Sequence, residues 1–74
     1  MSIFVYCSIP KGLFLIIRKY MDDMAIECGG EMCGWGGGGD FLFDRDYSFD
    51  TREQAGAFQH RVQQQWSDVE FYIP

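Results

Sequence analysis

Three cysteines and a single histidine are the first residues whose types suggest chemistry. Cys28 and Cys33 are separated by four residues, and Cys7 and His60 would complete a set of four zinc ligands. Structural zinc, however, is held by tight pairs such as Cys-x₂₋₄-Cys with a second pair elsewhere. Cys28 and Cys33 are a loose pair at the long end of that spacing, and the other two candidates are distant singles rather than a second pair, so no metal or cofactor is expected. Cys7 reads as a small buried hydrophobe. A thiol nucleophile needs a base oriented onto it within hydrogen-bond reach, and nothing in the spacing brings His60 to Cys28 or Cys33. Asp44, Asp46, Ser48 and Asp50 echo the first ligands of a calcium-binding EF-hand loop, but Phe49 stands at its glycine position and Ala55 at its bidentate glutamate position. Gly36–Gly39 lacks the Gly-Lys-Ser/Thr of a phosphate-binding loop, and the Asp40 that follows repels phosphate. The chain therefore reads as non-enzymatic, with no catalytic residues.

What remains is charge. The net charge is −5, from six Lys+Arg against eleven Asp+Glu, and it is unevenly spread. Residues 22–50 hold eight acids (Asp22, Asp23, Glu27, Glu31, Asp40, Asp44, Asp46, Asp50) and one base, Arg45. The segment before them carries three bases, Lys11, Arg18 and Lys19, and no acid. On an extended strand, alternate side chains share a face about 6.7 Å apart, so Asp40, Asp44 and Asp46 are expected to form a row of carboxylates. Such a row attracts the Lys/Arg surfaces that hold phosphates and steers association. It equally serves as a solvated face that keeps a small protein soluble. The acidic balance is the wrong sign for binding nucleic acid directly.

Seventy-four residues make one domain, spanning 1–74. With hydrophobic residues at 47% and aromatics at 18%, the chain is too apolar for disorder. Its core is too small to leave room for a deep pocket. Met1–Pro10 is apolar but has no positive n-region and no small-residue cleavage site, so it does not read as a signal peptide. Gly12–Ile17 is far short of the ~20 apolar residues a membrane span needs. An odd number of cysteines argues against a disulfide framework and for a reducing compartment. A cytoplasmic protein without membrane association is expected.

The elements that must position these residues follow from periodicity. Ile3–Ser8 is apolar at both parities and predicts a central strand covered on both faces. Ser8 and Pro10 mark a helix start, and Leu13, Ile16, Ile17, Tyr20, Met21 and Met24 follow at helical spacing. Gly29-Gly30 ends that helix. Pro10-Lys11-Gly12 also permits a hairpin, which would make the run Leu13–Tyr20 a strand. A short strand is expected at Glu31–Trp35, then a turn over Gly36–Gly39, then a strand over Asp40–Asp50 bent near Asp44–Asp46. Asp50 and Glu53 predict the capping box of a second helix, whose inward stripe is Ala55, Phe58, Val62 and Trp66. Val69–Ile73 closes the chain as a strand. The order βαββαβ predicts an α+β, ferredoxin-like fold, a four-stranded antiparallel sheet with two helices on one face. Its other face would expose Phe4, Tyr6 and Tyr72, a patch suited to dimerisation or a partner.

Within Ala25–Gly36, the residues Gly29, Gly30, Glu31, Gly34, Trp35 and Gly36 resemble a signature of the ribonuclease E inhibitor family, the regulator of ribonuclease activity B type. There a helix ends in a Gly-Gly-Glu-Tyr-Asp-Gly-Trp-Gly-like run. Met32 and Cys33 stand where that family tends to have Tyr and Asp, and the segment lies in the first half of this chain rather than the second. The resemblance implies a small acidic protein that binds and inhibits a nucleic-acid enzyme. In profile the chain also resembles the short acidic inhibitors that phages deploy against host nucleic-acid machinery, anti-CRISPR proteins among them.

Together these readings predict a nucleic-acid mimic whose partner is a protein complex with a basic nucleic-acid-binding groove, such as a CRISPR effector. The expected contacts are Asp22, Asp23, Glu27, Glu31, Asp40, Asp44, Asp46 and Asp50, with Trp35 either an exposed anchor or a cap on the core. The alternatives are a regulator or small subunit of a host ribonuclease, and a ferredoxin-like homodimer that binds a ligand on its open sheet face. Monomer and homodimer both remain open.

Overall fold

The computed structural model describes residues 2–36 and 42–74. Its elements run β1 (Ile3–Pro10), α1 (Lys11–Glu27), β2 (Glu31–Gly36), β3 (Leu42–Phe49), α2 (Arg52–Gln65) and β4 (Glu70–Tyr72). The sheet order is β2-β3-β1-β4, and every neighbouring pair is antiparallel. This is the ferredoxin-like arrangement that the element order predicts. Residues 10–20 are strand only at Pro10; the rest is helix, which resolves the hairpin alternative.

The sheet has one covered face and one open face, because both helices lie on the same side. Val5, Cys7 and Ile9 from β1 and Tyr47 and Phe49 from β3 point under the helices and are buried. They meet Phe14, Ile17, Met21 and Ala25 of α1 and Ala55, Phe58 and Val62 of α2. Phe58 is the hub, with its ring centroid 4.8 Å from that of Tyr47, 5.2 Å from Phe49 and 5.8 Å from Phe71. The expectation that β1 is covered on both faces is overturned: Phe4 and Tyr6 are 44% and 41% exposed. An apolar run reads the same whether its second face is covered or merely aromatic.

The stripe of α1 also differs from expectation. Ile16 is 65% exposed, while Phe14 turns inward and Leu13, Tyr20 and Met24 only flank the core. The unbroken run Leu13–Ile17 offers more than one stripe, and the ring of Phe14 selects one by packing 4.4 Å from that of Phe43. Ser8 and Pro10 belong to β1, with Pro10 as the helix N-cap. At the other end α1 closes in a Schellman motif: Gly30 N–H donates to the Ala25 carbonyl at 2.8 Å and Gly29 N–H to that of Ile26 at 3.0 Å. Gly29 takes φ +91°, which only glycine adopts without strain. At Gly30 a Cβ would collide with the Phe49 ring and the Ser48 carbonyl.

Helix α2 is capped one residue later than Asp50 predicts. Thr51 Oγ1 accepts from Gln54 N–H at 3.1 Å, and Gln54 Oε1 accepts from the N–H groups of Thr51 and Asp50. The Gln54 side chain lies against Gly29, in the space a Cβ there would need, and that contact draws it over both donors. The irregularity expected in β3 near Asp44–Asp46 falls instead in β2, where the register shifts between Met32 and Gly34. β3 is held on both sides, by β1 and β2, so the edge strand is the one free to bulge.

Candidate functional site

The alternation that buries one parity of each strand sets the other on the open face. Across the β1–β3 ladder Phe4 stands opposite Ser48, Tyr6 opposite Asp46 and Ser8 opposite Asp44. On the other flank of β1, Tyr6 meets Tyr72 and Ser8 meets Glu70. From the outer strand, Glu31 pairs with Ser48 and Gly34 with Asp46. One surface thus carries four carboxylates, Glu31, Asp44, Asp46 and Glu70, beside the rings of Phe4, Tyr6 and Tyr72.

No base shares it. Of the six Lys and Arg in the chain, Lys11, Arg18 and Lys19 lie on α1, Arg52 and Arg61 on α2, and Arg45 points from β3 toward α1. Among the described residues none of the four sheet carboxylates joins an ion pair. Burial, and then the Asp44 charge, raise the Asp46 carboxyl above its ordinary value. The bulged Cys33 sits beside this row; burial, then Asp46 and Glu31, push its thiol up. Gly34 leaves Asp46 room, since a Cβ there would stand 3.3 Å from its Oδ2.

The sequence-predicted residues divide accordingly. Glu31, Asp44 and Asp46 come together on the open face. Asp23 and Glu27 lie on α1, on the other side of the sheet, where Asp23 pairs with Lys19 at 3.3 Å and Glu27 with Arg61 at 3.8 Å. Asp50 is exposed before α2 and, with Glu31, Ser48 and Gly30, lines a shallow polar groove of about 270 Å³. Trp35 is 69% exposed, so it does not cap the core, and its register partner Arg45 places it on the helix side of the edge strand. Asp40 lies outside the described residues, as does most of the expected Gly36–Gly39 turn.

Asp22 is used inside the fold. Its Oδ1 accepts from Arg45 Nε at 3.0 Å and from the Tyr47 hydroxyl at 2.7 Å, and its Oδ2 accepts from the Arg45 terminal nitrogen at 2.5 Å. Burial would raise this carboxyl, but the hydrogen bonds from Arg45 and Tyr47 outweigh it and hold the group below the usual carboxylate range. Burial, and then the bond to Asp22, push the Tyr47 phenol up.

The cysteines do not converge. Cys7 is buried, Cys28 half-buried and Cys33 exposed, and all three are free thiols. Burial drives the Cys7 thiol far up, so it stays protonated. His60 is exposed on α2, its Nε2 3.1 Å from the Gln64 amide. Among the described residues, no three His, Cys, Asp or Glu side chains gather as metal ligands, and no helix is long and apolar enough to cross a membrane.

Glu70 escaped the sequence reading because it lies outside the acidic middle third, although its parity with Tyr72 marks its face. Arg45 was legible as the one charged residue on the parity of Phe43, Tyr47 and Phe49, but its partner was not. No family model matches this chain, and no curated protein matches it.

Proposed function

We propose that this protein is a non-enzymatic inhibitor that occupies the basic nucleic-acid-binding groove of a protein complex, acting as a nucleic-acid mimic. The observation that carries the reading is the segregation of charge: among the described residues, four carboxylates outside any ion pair and no base on the open sheet face. Alternate carboxylates on β3 recur about every 6.7 Å, close to the spacing of phosphates along a nucleic-acid strand. A partner's Lys/Arg groove gains long-range attraction to such a face and needs no pocket in return. A CRISPR effector is the sharpest form of that partner, and a phage anti-defence inhibitor working in the cytoplasm of the host cell is the matching form of this protein. It binds the protein complex, not nucleic acid or membrane.

The test is charge reversal on the two sides of the molecule. Asp44→Lys with Asp46→Lys removes binding to the complex, whereas Asp23→Lys with Glu27→Lys leaves it nearly intact. Equal losses from both pairs would refute a role for the sheet face.

One observation favours a second reading, a regulator or small subunit of a host ribonuclease. Trp35, the aromatic of the signature segment, stands largely exposed at the sheet edge, away from the carboxylate row. Exposed tryptophans serve as interface anchors. Under that reading Trp35→Ala and Glu31→Ala abolish binding while the Asp44/Asp46 pair tolerates change.

A further inference from the structure

The acidic face is also an aromatic face, and the two kinds of group interleave. The rings of Phe4, Tyr6 and Tyr72 lie side by side across β1 and β4, with centroids 6.5 Å and 6.2 Å apart and planes within 26° and 30° of each other. Tyr72 is 64% exposed, and Phe4 and Tyr6 are open as well. Tyr6 has Asp46 opposite it on one flank and Tyr72 on the other, and Ser8, next along the same face, has Asp44 on one flank and Glu70 on the other. Asp46 therefore borders the aromatic lane on the β3 side, and Asp44 and Glu70 stand at its Ser8 end.

A nucleobase suits the rings, as on the sheets of RNA-recognition modules, but arrives with a phosphate that the carboxylates repel. A lysine ammonium suits the carboxylates, yet it is a compact, strongly hydrated point charge. The guanidinium group is both flat and cationic, is more weakly hydrated, and stacks on an aromatic face while its edge donates to carboxylates. The molecule already holds one guanidinium in this manner on the other side of the same sheet. Arg45 lies 5.8 Å from the Phe14 ring centroid and donates through two nitrogens to Asp22.

We infer that the open sheet face reads arginine: it docks an arginine-bearing segment of a partner protein, with guanidinium groups on Tyr6 and Tyr72 and their N–H edges toward Asp46 and Glu70. The inference rests on the acidic-face reading above and names the partner group. Gly34 helps, because the neighbouring strand puts no side chain over Asp46.

The experiment is a calorimetric titration of the full chain at low salt with oligoarginine and oligolysine peptides of equal length. The arginine peptide binds about tenfold more tightly, the gain expected from two exposed cation–π contacts. Tyr6→Leu with Tyr72→Leu brings the arginine peptide down to the lysine level and leaves lysine binding unchanged; Tyr72→Leu alone, on the short edge strand, gives part of that loss. Asp46→Asn weakens both peptides. Equal affinity for the two peptides in the wild type, or a preference that survives loss of both tyrosines, overturns the arginine inference and leaves the acidic face standing. Failure of both peptides to bind overturns the arginine inference and the acidic-face reading together.

Discussion

Arg45 and Asp22 join the sheet to helix α1 across the covered side of the molecule, Arg45 Nε lying 3.0 Å from Asp22 Oδ1 and the terminal nitrogen 2.5 Å from Oδ2. The guanidinium side chain is only 8% exposed, and Tyr47 donates to the same carboxylate. Deleting one partner strands the other. Removing one member of a fully buried pair costs about 3–5 kcal/mol; with the Asp22 side chain 31% exposed, Asp22→Ala is expected to cost about 2–3 kcal/mol. Replacing both, Asp22→Leu with Arg45→Met, recovers much of that loss because no orphaned charge remains. Urea unfolding of the single and double variants checks both.

The same carboxyl sets an acid limb. It titrates below the ordinary range in the folded protein and at its ordinary value once unfolded. Its contribution is therefore complete above the ordinary carboxylate pKa and is lost as pH falls through and below that value. Asp22→Asn flattens this part of the stability profile. Asp46 works in the opposite sense: its raised carboxyl favours the folded state at low pH, and that benefit is lost as pH rises through the raised value. Asp46→Asn therefore stabilises the protein near neutrality, an outcome read from unfolding midpoints across pH.

Two glycines separate local backbone freedom from close packing. A Cβ at Gly56, on the exposed side of α2, would meet nothing within 4 Å, so Gly56→Ala stabilises by about 0.5–1 kcal/mol. Gly30→Ala drives a methyl group into the Phe49 ring and the Ser48 carbonyl and lowers the melting temperature. Thermal melts of the two variants should move in opposite directions.

Phe58 is fully buried and touches three other rings. Phe58→Ala leaves a cavity beneath both helices and is expected to cost about 3–5 kcal/mol, measurable by denaturant unfolding.

These relationships mark where the sequence was legible. Element order could be read because each element leaves its own pattern: the short apolar run of β1, the parity of β3, and Ala55, Phe58 and Val62 along α2. Choices between neighbouring residues of the same chemistry could not. Phe14 and Ile16 both sit in one apolar run, and only the ring of Phe43 on a distant strand decides between them. Asp50 and Thr51 both fit a capping box, and the packing of Gln54 on Gly29 decides. The acidic row was partly legible. Parity placed Asp44 and Asp46 together, but composition alone grouped them with Asp22, Asp23 and Glu27, which the fold pairs with Arg45, Lys19 and Arg61.

The central claim is that the open face binds through its carboxylates, and affinity capture from host lysate at rising salt tests it most directly, with the wild type beside the Asp44→Lys/Asp46→Lys variant. Screening weakens exposed charge contacts as the Debye length shrinks from about 10 Å at 0.1 M salt to about 3 Å at 1 M. The wild type is expected to retain a nucleic-acid-binding complex that salt or competing DNA releases, and the variant to retain none. A partner that resists salt and DNA, or that the variant captures equally well, would contradict the claim.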